Sequence, residues 1–158
     1  MVRYILSALA LTVVFLSTGG AGYAECRADT VYLRGDWGQA RFSVDVADTF
    51  ETQSRGLMFV EDMPLSKGML FVYDRPKSLS FWMRNTLIPL DMVFVDPFGV
   101  VKHVHSNAIP HDLTPIHGGD GLVAVLEING GLAKQLGITV GSEMRHPSFV
   151  KSLAAWPC

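Results

Sequence analysis

The chain has 158 residues, with 13 Lys and Arg against 15 Asp and Glu and a formal net charge of −2 at pH 7. A chain of this length fits one domain and buries a sizeable hydrophobic core. Because it has neither a basic run nor a basic overall balance, we expect no nucleic acid among its partners.

The first 24 residues have the three regions of a secretory signal peptide. Arg3 gives the positive charge, residues 5–16 form the apolar run, and Gly22-Tyr23-Ala24 is a small-x-small cleavage site. The apolar run is short of the roughly 20 residues of a membrane-spanning helix. We therefore expect an exported protein, periplasmic or secreted, with residues 25–158 as a single β-rich domain and no membrane attachment after cleavage. The alternative is an uncleaved membrane anchor.

The two cysteines, Cys26 and Cys158, lie near the two ends of the mature chain. In an oxidising compartment an even pair is most simply a disulfide. Closing so long a loop stabilises a fold by roughly 4–5 kcal/mol in the chain-entropy model. The alternative is that both ends fray and the two thiols do not meet.

The first part of the mature chain has the pattern of short strands. Alternating runs over 30–34 and 39–46 flank a Gly-Asp-Trp-Gly turn and predict a β-hairpin. A compact apolar run over 68–72 predicts a further strand, and the polar residues 73–78 predict a turn after it.

A short helix is predicted between the hairpin and that strand. Asp48 and Glu51 have the spacing of a capping box, with Asp48 as the N-cap residue. The helix should cover residues 49–55 and end at Gly56, because glycine suits the position after a helix C-terminus.

The middle of the chain, LSFWMRNTLIPLDMVFVD, predicts two strands around a polar connector. The strands cover 79–83 and 90–95, and the second is apolar on both faces except for one acid, which is typical of a central strand. The turn residues 96–99 should join 90–95 to a strand over 100–105. Residues 106–121 contain two prolines and three glycines and predict a long, irregular loop.

The last part contains an apolar strand over 122–128, a helix over 130–136 and a strand over 142–146. Asn129 is the expected N-cap of that helix and Gly137 its terminating glycine. Seven or eight short strands with two short helices predict a mainly β fold. We expect antiparallel sheets arranged as a sandwich or jelly roll, or as a barrel, rather than a βαβ fold.

Several blocks of the sequence occur together and in a fixed order. They are RGLM (55–58), GMLFV (68–72), SFWMRNT (80–86), IPLD (88–91), FVD (94–96), Gly99, LE (126–127) and GI (137–138). Over roughly residues 42–144 the chain resembles the family catalogued as domain of unknown function 192. Where that family commonly has Lys after the Trp-Met pair, this chain has Arg84, which keeps the charge. The resemblance implies a compact, mostly β domain of exported proteins, with no established activity, substrate or cofactor.

Two acids, Asp91 and Glu127, lie inside apolar strands. Burying a carboxylate is costly, so each needs a cation, hydrogen-bond donors or a raised pKa. Arg55 and Arg84 are the expected partners, in a structural network that ties the helix end to the sheet. The alternative is a carboxylate pair for acid–base chemistry, as in sugar hydrolysis.

The polar connector supplies further candidates for ligand binding. Asn85 and Thr86 either contact a ligand or satisfy backbone groups at a turn. Trp82 lies on the less apolar face of its strand, which favours a position in a pocket wall. Trp37 and Trp82 are both potential stacking platforms, although tryptophan in a strand is more often a core residue.

A metal site is a weaker candidate. His103 and His105 are two residues apart on a predicted strand and point to the same side. Soft thioether and imidazole ligands suit copper. The further candidate ligands are His111 and His117 in the predicted loop, and the methionines Met58, Met69, Met83 and Met92. The spacing matches no closed metal site, and methionine commonly fills cores. We therefore expect no cofactor.

The sequence favours a non-enzymatic exported protein, an accessory domain of the cell envelope that binds a small polar ligand or an envelope protein. One alternative is a hydrolase, directed at glycosides, that uses Asp91 and Glu127, and another is a Met/His metal-binding protein. The candidate ligand-binding residues are Arg55, Trp82, Arg84, Asn85, Thr86, Asp91 and Glu127.

Overall fold

A computed structural model describes residues 26–158 of the protein. The predicted signal peptide, residues 1–24, lies outside this range and stays a prediction. Within the described range, no helix is both long and apolar enough to cross a membrane.

Seven strands between residues 26 and 158 form one sheet with the order β5-β4-β6-β3-β2-β1-β7. The strands are β1 (Thr30–Gly35), β2 (Gly38–Ala47), β3 (Lys67–Phe81), β4 (Leu90–Val95), β5 (Val101–Ala108), β6 (Ile116–Asn129) and β7 (Glu143–Arg145). Every neighbouring pair is antiparallel except β2 and β3, which run parallel. The predicted mainly β fold is therefore confirmed, as are the hairpins β1–β2 and β4–β5.

The sheet curls until its two edges meet. Val100, just before β5, forms an antiparallel bridge with Glu143 of β7. The amide of Val101 donates a hydrogen bond of 2.8 Å to the carbonyl of Ser142. Pairing between the first and last strands of the sheet gives the barrel-like form among the predicted alternatives.

Curling gives the sheet an inner face and an outer face, each with its own hydrophobic core. The inner core receives side chains from all seven strands. The outer core lies over β3, β4 and β6 and includes Leu57, Met63 and Met83 from the connecting segments. Strand β4 is buried on both faces, as predicted, with Met92 and Phe94 in the outer core and Val93 and Val95 in the inner one.

The first helix, α1 (Phe50–Arg55), begins at a different cap from the predicted one. Thr49, not Asp48, is the N-cap residue, and its hydroxyl accepts a 3.2 Å hydrogen bond from the amide of Thr52. The Thr52 hydroxyl in turn accepts from the Thr49 amide at 3.1 Å, which makes a capping box of two threonines. The predicted box with Glu51 is thus one residue out of register.

The second helix, α2 (Leu132–Leu136), is also shorter than predicted. Its N-cap is Gly131, with φ of 82°, and not Asn129. The terminating glycines were predicted correctly, because Gly56 ends α1 and Gly137 ends α2, both with positive φ.

Strands β3 and β6 are much longer than the sequence predicts. Residues 73–78 continue β3 instead of turning, and the predicted loop 106–121 shortens to 109–115. The two strands stay paired through several register shifts, so the glycines that suggest a loop belong to a bulged ladder. Gly118 is required there, since a Cβ atom at this position would overlap the ring of Phe94.

The two ends of the described chain are joined by the predicted disulfide. The Sγ atoms of Cys26 and Cys158 are 2.12 Å apart and their Cα atoms 5.5 Å apart. Near this bridge, the Nε2 atom of buried His146 lies 2.8 Å from the carbonyl oxygen of Ala28. Both contacts fix the amino-terminal segment against the carboxyl-terminal one.

Candidate functional site

Glu127 is a carboxyl group buried on the outer face of the sheet. It lies on β6, opposite Met69 of β3 and Met92 of β4, and is only 4% exposed. Among the described residues, no hydrogen bond or ion pair reaches its carboxyl group, and burial alone raises its pKa to about 8. At pH 7 most of this carboxyl is therefore neutral, and a neutral carboxyl donates a hydrogen bond.

A cavity of about 120 Å³ lies over Glu127. Its floor is buried, but its rim is open, because Trp82 is 48% exposed and Arg55 and Arg84 are exposed. The guanidinium carbon of Arg84 lies 5.6 Å from the centre of the Trp82 ring. The other residues that line the cavity are Gln53, Ser54, Gly56, Leu57, Met58, Phe71, Tyr73, Ser80, Phe81 and Thr86.

The cavity wall is made by two segments that clamp each other. The connector after β3 carries Trp82, Arg84 and Thr86, and the segment after α1 carries Met58. Met58 and Thr86 form an isolated antiparallel bridge. Next to it, the amide of Phe59 donates a 2.9 Å hydrogen bond to the carbonyl of Asn85. The rim side chains are therefore held by backbone pairing.

The same clamp contains two non-glycine residues in the left-handed region. Phe59 has φ of 64° and Asn85 has φ of 54°. Asparagine tolerates this conformation, but for a bulky residue it costs about 1–2 kcal/mol. Phe59 is also 65% exposed, so packing in the core does not offset the free-energy cost of this conformation. Strained backbone of this kind clusters at binding sites, and this favours the rim of the cavity as a binding site.

Tyr73 also lines the cavity, although it was not among the site residues predicted from the sequence. Burial, and next the nearby charge of Glu127, raise the pKa of Tyr73 to about 12. Residues 73–78 were interpreted as a turn. A strand alternation that continued from Met69 through Phe71 to Tyr73 is the signal that would have placed this hydroxyl beside Glu127.

Asp91 serves a different role from the predicted one. Its Oδ1 accepts hydrogen bonds from the amides of Asn107 (2.6 Å) and Gly131 (2.8 Å), and its Oδ2 accepts one from the amide of Ala133 (2.7 Å). The predicted pairing of Asp91 with an arginine is wrong. Backbone donors satisfy the buried carboxylate instead and fix the start of α2 against β4 and β5.

Asp91 and Glu127 do not form a carboxylate pair. Residues directly opposite on neighbouring strands point to the same face, and Asp91 faces Ile128 while Met92 faces Glu127. Asp91 therefore points to the inner face with Ile128, and Glu127 to the outer face. The sheet separates the two acids, which removes the geometric basis of the glycoside hydrolase alternative.

The remaining candidates lie at or away from this cavity. The amide nitrogen of Asn85 lies 3.8 Å from the sulfur of Met58, a lining residue, so Asn85 supports the rim. Trp37 packs on the inner core and donates a 2.9 Å hydrogen bond to the Ser142 hydroxyl. The cavity thus brings together Arg55, Trp82, Arg84, Thr86 and Glu127.

The candidate metal ligands His103 and His105 lie on β5, the first strand in the order of the sheet. The centres of the His103 and Phe94 rings are 5.6 Å apart, and the ring planes are tilted by 37°. Within residues 26–158, no group of three or more His, Cys, Asp or Glu side chains comes together in a way that suits a metal ion.

Comparison with known proteins places the chain in a family. The sequence model of DUF192, described as an uncharacterized ACR, matches residues 32–146. The chain belongs to the DUF192 family. The match spans the sheet from β1 to the end of β7 and includes every residue of the Glu127 cavity.

Two crystal structures are similar to this DUF192 protein. One is a protein of unknown function from Novosphingobium aromaticivorans DSM 12444, with 42% identity and a TM-score of 0.72, which aligns over 73% of this chain and 82% of its own. The other is a "putative transcription regulator" from Sinorhizobium meliloti 1021, with 30% identity and a TM-score of 0.74, over 81% of this chain and 100% of its own. No curated protein matches the chain at a significant level.

Proposed function

We propose that this DUF192 protein is an exported, non-enzymatic accessory domain of the cell envelope that binds a small polar ligand in the Glu127 cavity. The observation that carries the proposal is the carboxyl group of Glu127, which is buried, has no partner among the described residues and lines an open cavity. Among the described residues, Arg145 Nε is the only fully buried side-chain polar atom without a partner, so the Glu127 oxygens reach the cavity instead of being sealed from it. A ligand that accepts the hydrogen bond of the neutral carboxyl can replace water at this position.

Binding is favoured over catalysis because Glu127 is the only carboxyl group among the described residues that line the cavity. Acid–base hydrolysis of a glycoside requires two carboxyl groups about 5–10 Å apart on either side of the bond. Asp91 is on the other face of the sheet and its oxygens are occupied by three amides.

Export is supported by two independent features. Residues 1–24 have the pattern of a signal peptide, and the Cys26–Cys158 disulfide is of the kind that persists in oxidising compartments. The net charge of −2 makes nucleic acid an unsuitable partner.

The test is a two-dimensional amide NMR titration of residues 25–158 with panels of saccharides, amino acids and nucleotides. We expect at least one compound to shift the amides around Trp82, Arg84 and Glu127 selectively. Trp82→Ala should abolish that response. Phe98→Ala should preserve it, since Phe98 is similarly exposed (50% against 48%) and lies outside the cavity. Shifts that map elsewhere, or no response to any compound, would overturn the proposal.

A further inference from the structure

We infer that the ligand of this cavity is a small organic anion, an acidic monosaccharide whose carboxylate enters the cavity while its sugar ring lies against Trp82. This inference rests on the proposed function and specifies the chemical class that the cavity selects. It is carried by the distribution of charge around the cavity and by the position of Trp82.

The charges around the cavity favour an anion. Arg55 and Arg84 are the cations of the lining, and Glu127 is the only acidic residue among the described residues that line it. Arginine presents several donors in a planar fork that matches a carboxylate. A neutral Glu127 adds a further donor at the floor instead of a repelling charge. A ligand rich in acceptors therefore meets donors from both arginines and from Glu127.

The carboxylate is the part of the ligand that suits the cavity, because Glu127 lies at its floor and Arg55 and Arg84 lie at its rim. The sugar ring then lies at the mouth of the cavity, where Trp82 is half exposed and Arg84 lies beside it. Sugars pack against tryptophan through their apolar C–H face, so Trp82 is suited to hold the ring.

Ser80 favours a sugar over a simple aromatic acid. Ser80 is an exposed lining residue near the end of β3, two positions before Trp82, and its hydroxyl can bond to ring hydroxyl groups. An aromatic carboxylate offers no hydroxyl for such a contact. The shared chemistry of both ligands is a carboxylate on a ring, and a matched pair of probes separates them.

Binding of an anion should depend on the protonation of Glu127. The titratable or charged groups that line the cavity together with Glu127 are Arg55 from α1, Tyr73 from β3 and Arg84 from the connector. The directly opposite residue of β4 is Met92. The pKa of Tyr73 is raised to about 12 and that of Glu127 to about 8, so between these two groups it is Glu127 that changes its protonation between pH 6.5 and 9.5. If only its neutral form accepts the anion, affinity should fall about 30-fold over this range.

The experiment is isothermal titration calorimetry of residues 25–158 with D-galacturonate, D-galactose and benzoate at pH 6.5 and 9.5. We expect galacturonate to bind at least tenfold more tightly than the other two at pH 6.5 and to weaken about 30-fold at pH 9.5. Glu127→Gln should bind at both pH values equally, because the amide stays a neutral donor. Arg84→Gln should weaken binding at least tenfold, and the exposed control Arg41→Gln should not.

The possible failures are distinguishable. Galactose binding as tight as galacturonate, with shifts at the cavity, would overturn the anionic ligand but leave the proposed binding function intact. Benzoate binding as tight as galacturonate would overturn the sugar and leave a ring-borne carboxylate. Arg84→Gln with unchanged affinity would overturn the anion site. Failure of all three probes to bind would overturn this inference, and the broader NMR panels then decide the proposed function separately.

Discussion

Replacing Glu127 with glutamine should remove most of the pH dependence of stability between pH 5 and 9. In the folded protein the pKa of Glu127 is about 8, compared with the ordinary value of 4.5. The folded state therefore retains a proton that the unfolded chain releases over this range. The stabilising contribution is fully present below pH 4.5 and is lost as the pH rises through about 8. The loss reaches about 3 kcal/mol at pH 7 and about 5 kcal/mol at pH 9.

Glutamine has nearly the same shape as neutral glutamic acid and does not titrate. The Glu127→Gln protein should therefore exceed the wild type by about 1 kcal/mol at pH 5 and by about 3 kcal/mol at pH 7, the latter equal to about 10 °C in Tm. Urea denaturation at pH 5, 7 and 9, with the disulfide intact, measures the difference. The exposed residue Glu51 provides a matched control, and Glu51→Gln should follow the wild-type curve. Parallel curves for the wild type and Glu127→Gln would refute the reasoning.

Three further changes test the fold around the site. Asp91→Ala leaves three buried amides without an acceptor and should lower the free energy of unfolding by about 3–5 kcal/mol in urea denaturation; a loss below 1 kcal/mol would contradict the three-bond arrangement. Gly118→Ala places a Cβ in the ring of Phe94 and should cost about 1–3 kcal/mol, and wild-type stability would show that the approach is looser. Reduction of Cys26–Cys158 should add 2 Da and lower stability by about 4–5 kcal/mol, since 132 residues separate the cysteines; an unchanged mass would exclude the bridge.

The sequence correctly predicted those parts of the fold that depend on short stretches of sequence or on single residue types. Strand β4 was recognisable because an unbroken apolar run suits a strand that is buried on both faces. The terminating glycines Gly56 and Gly137 were recognisable because few other residues adopt their conformation. The disulfide followed from there being one pair of cysteines in the chain.

The sequence was less informative where contacts between residues far apart in the chain determine the structure. Residues 73–78 are polar and contain a proline, yet they belong to β3, where Lys77 is paired with Leu122 of β6 across a register shift. Asp91 is satisfied by amides of Asn107, Gly131 and Ala133, and sequence patterns do not reveal backbone donors that a fold brings together. For the same reason the sequence could not show that Asp91 and Glu127 lie on opposite faces of the sheet.

Part of the site was predicted from the types of its residues. The RGLM and SFWMRNT blocks contain charged and aromatic residues at strand and helix ends, so Arg55, Trp82 and Arg84 were recognisable candidates. That they surround Glu127 depends on the curl of the sheet and the clamp between the two connecting segments.

The most direct test of the account is a ¹³C NMR titration of the Glu127 side-chain carboxyl, assigned by comparison with Glu127→Gln. We predict a pKa of about 8, which rises further when D-galacturonate is bound because the anion favours the neutral acid. A pKa near 4.5 would contradict the account, since it would mean that the carboxyl at the floor of the cavity is ionised at pH 7 and already has a partner or water.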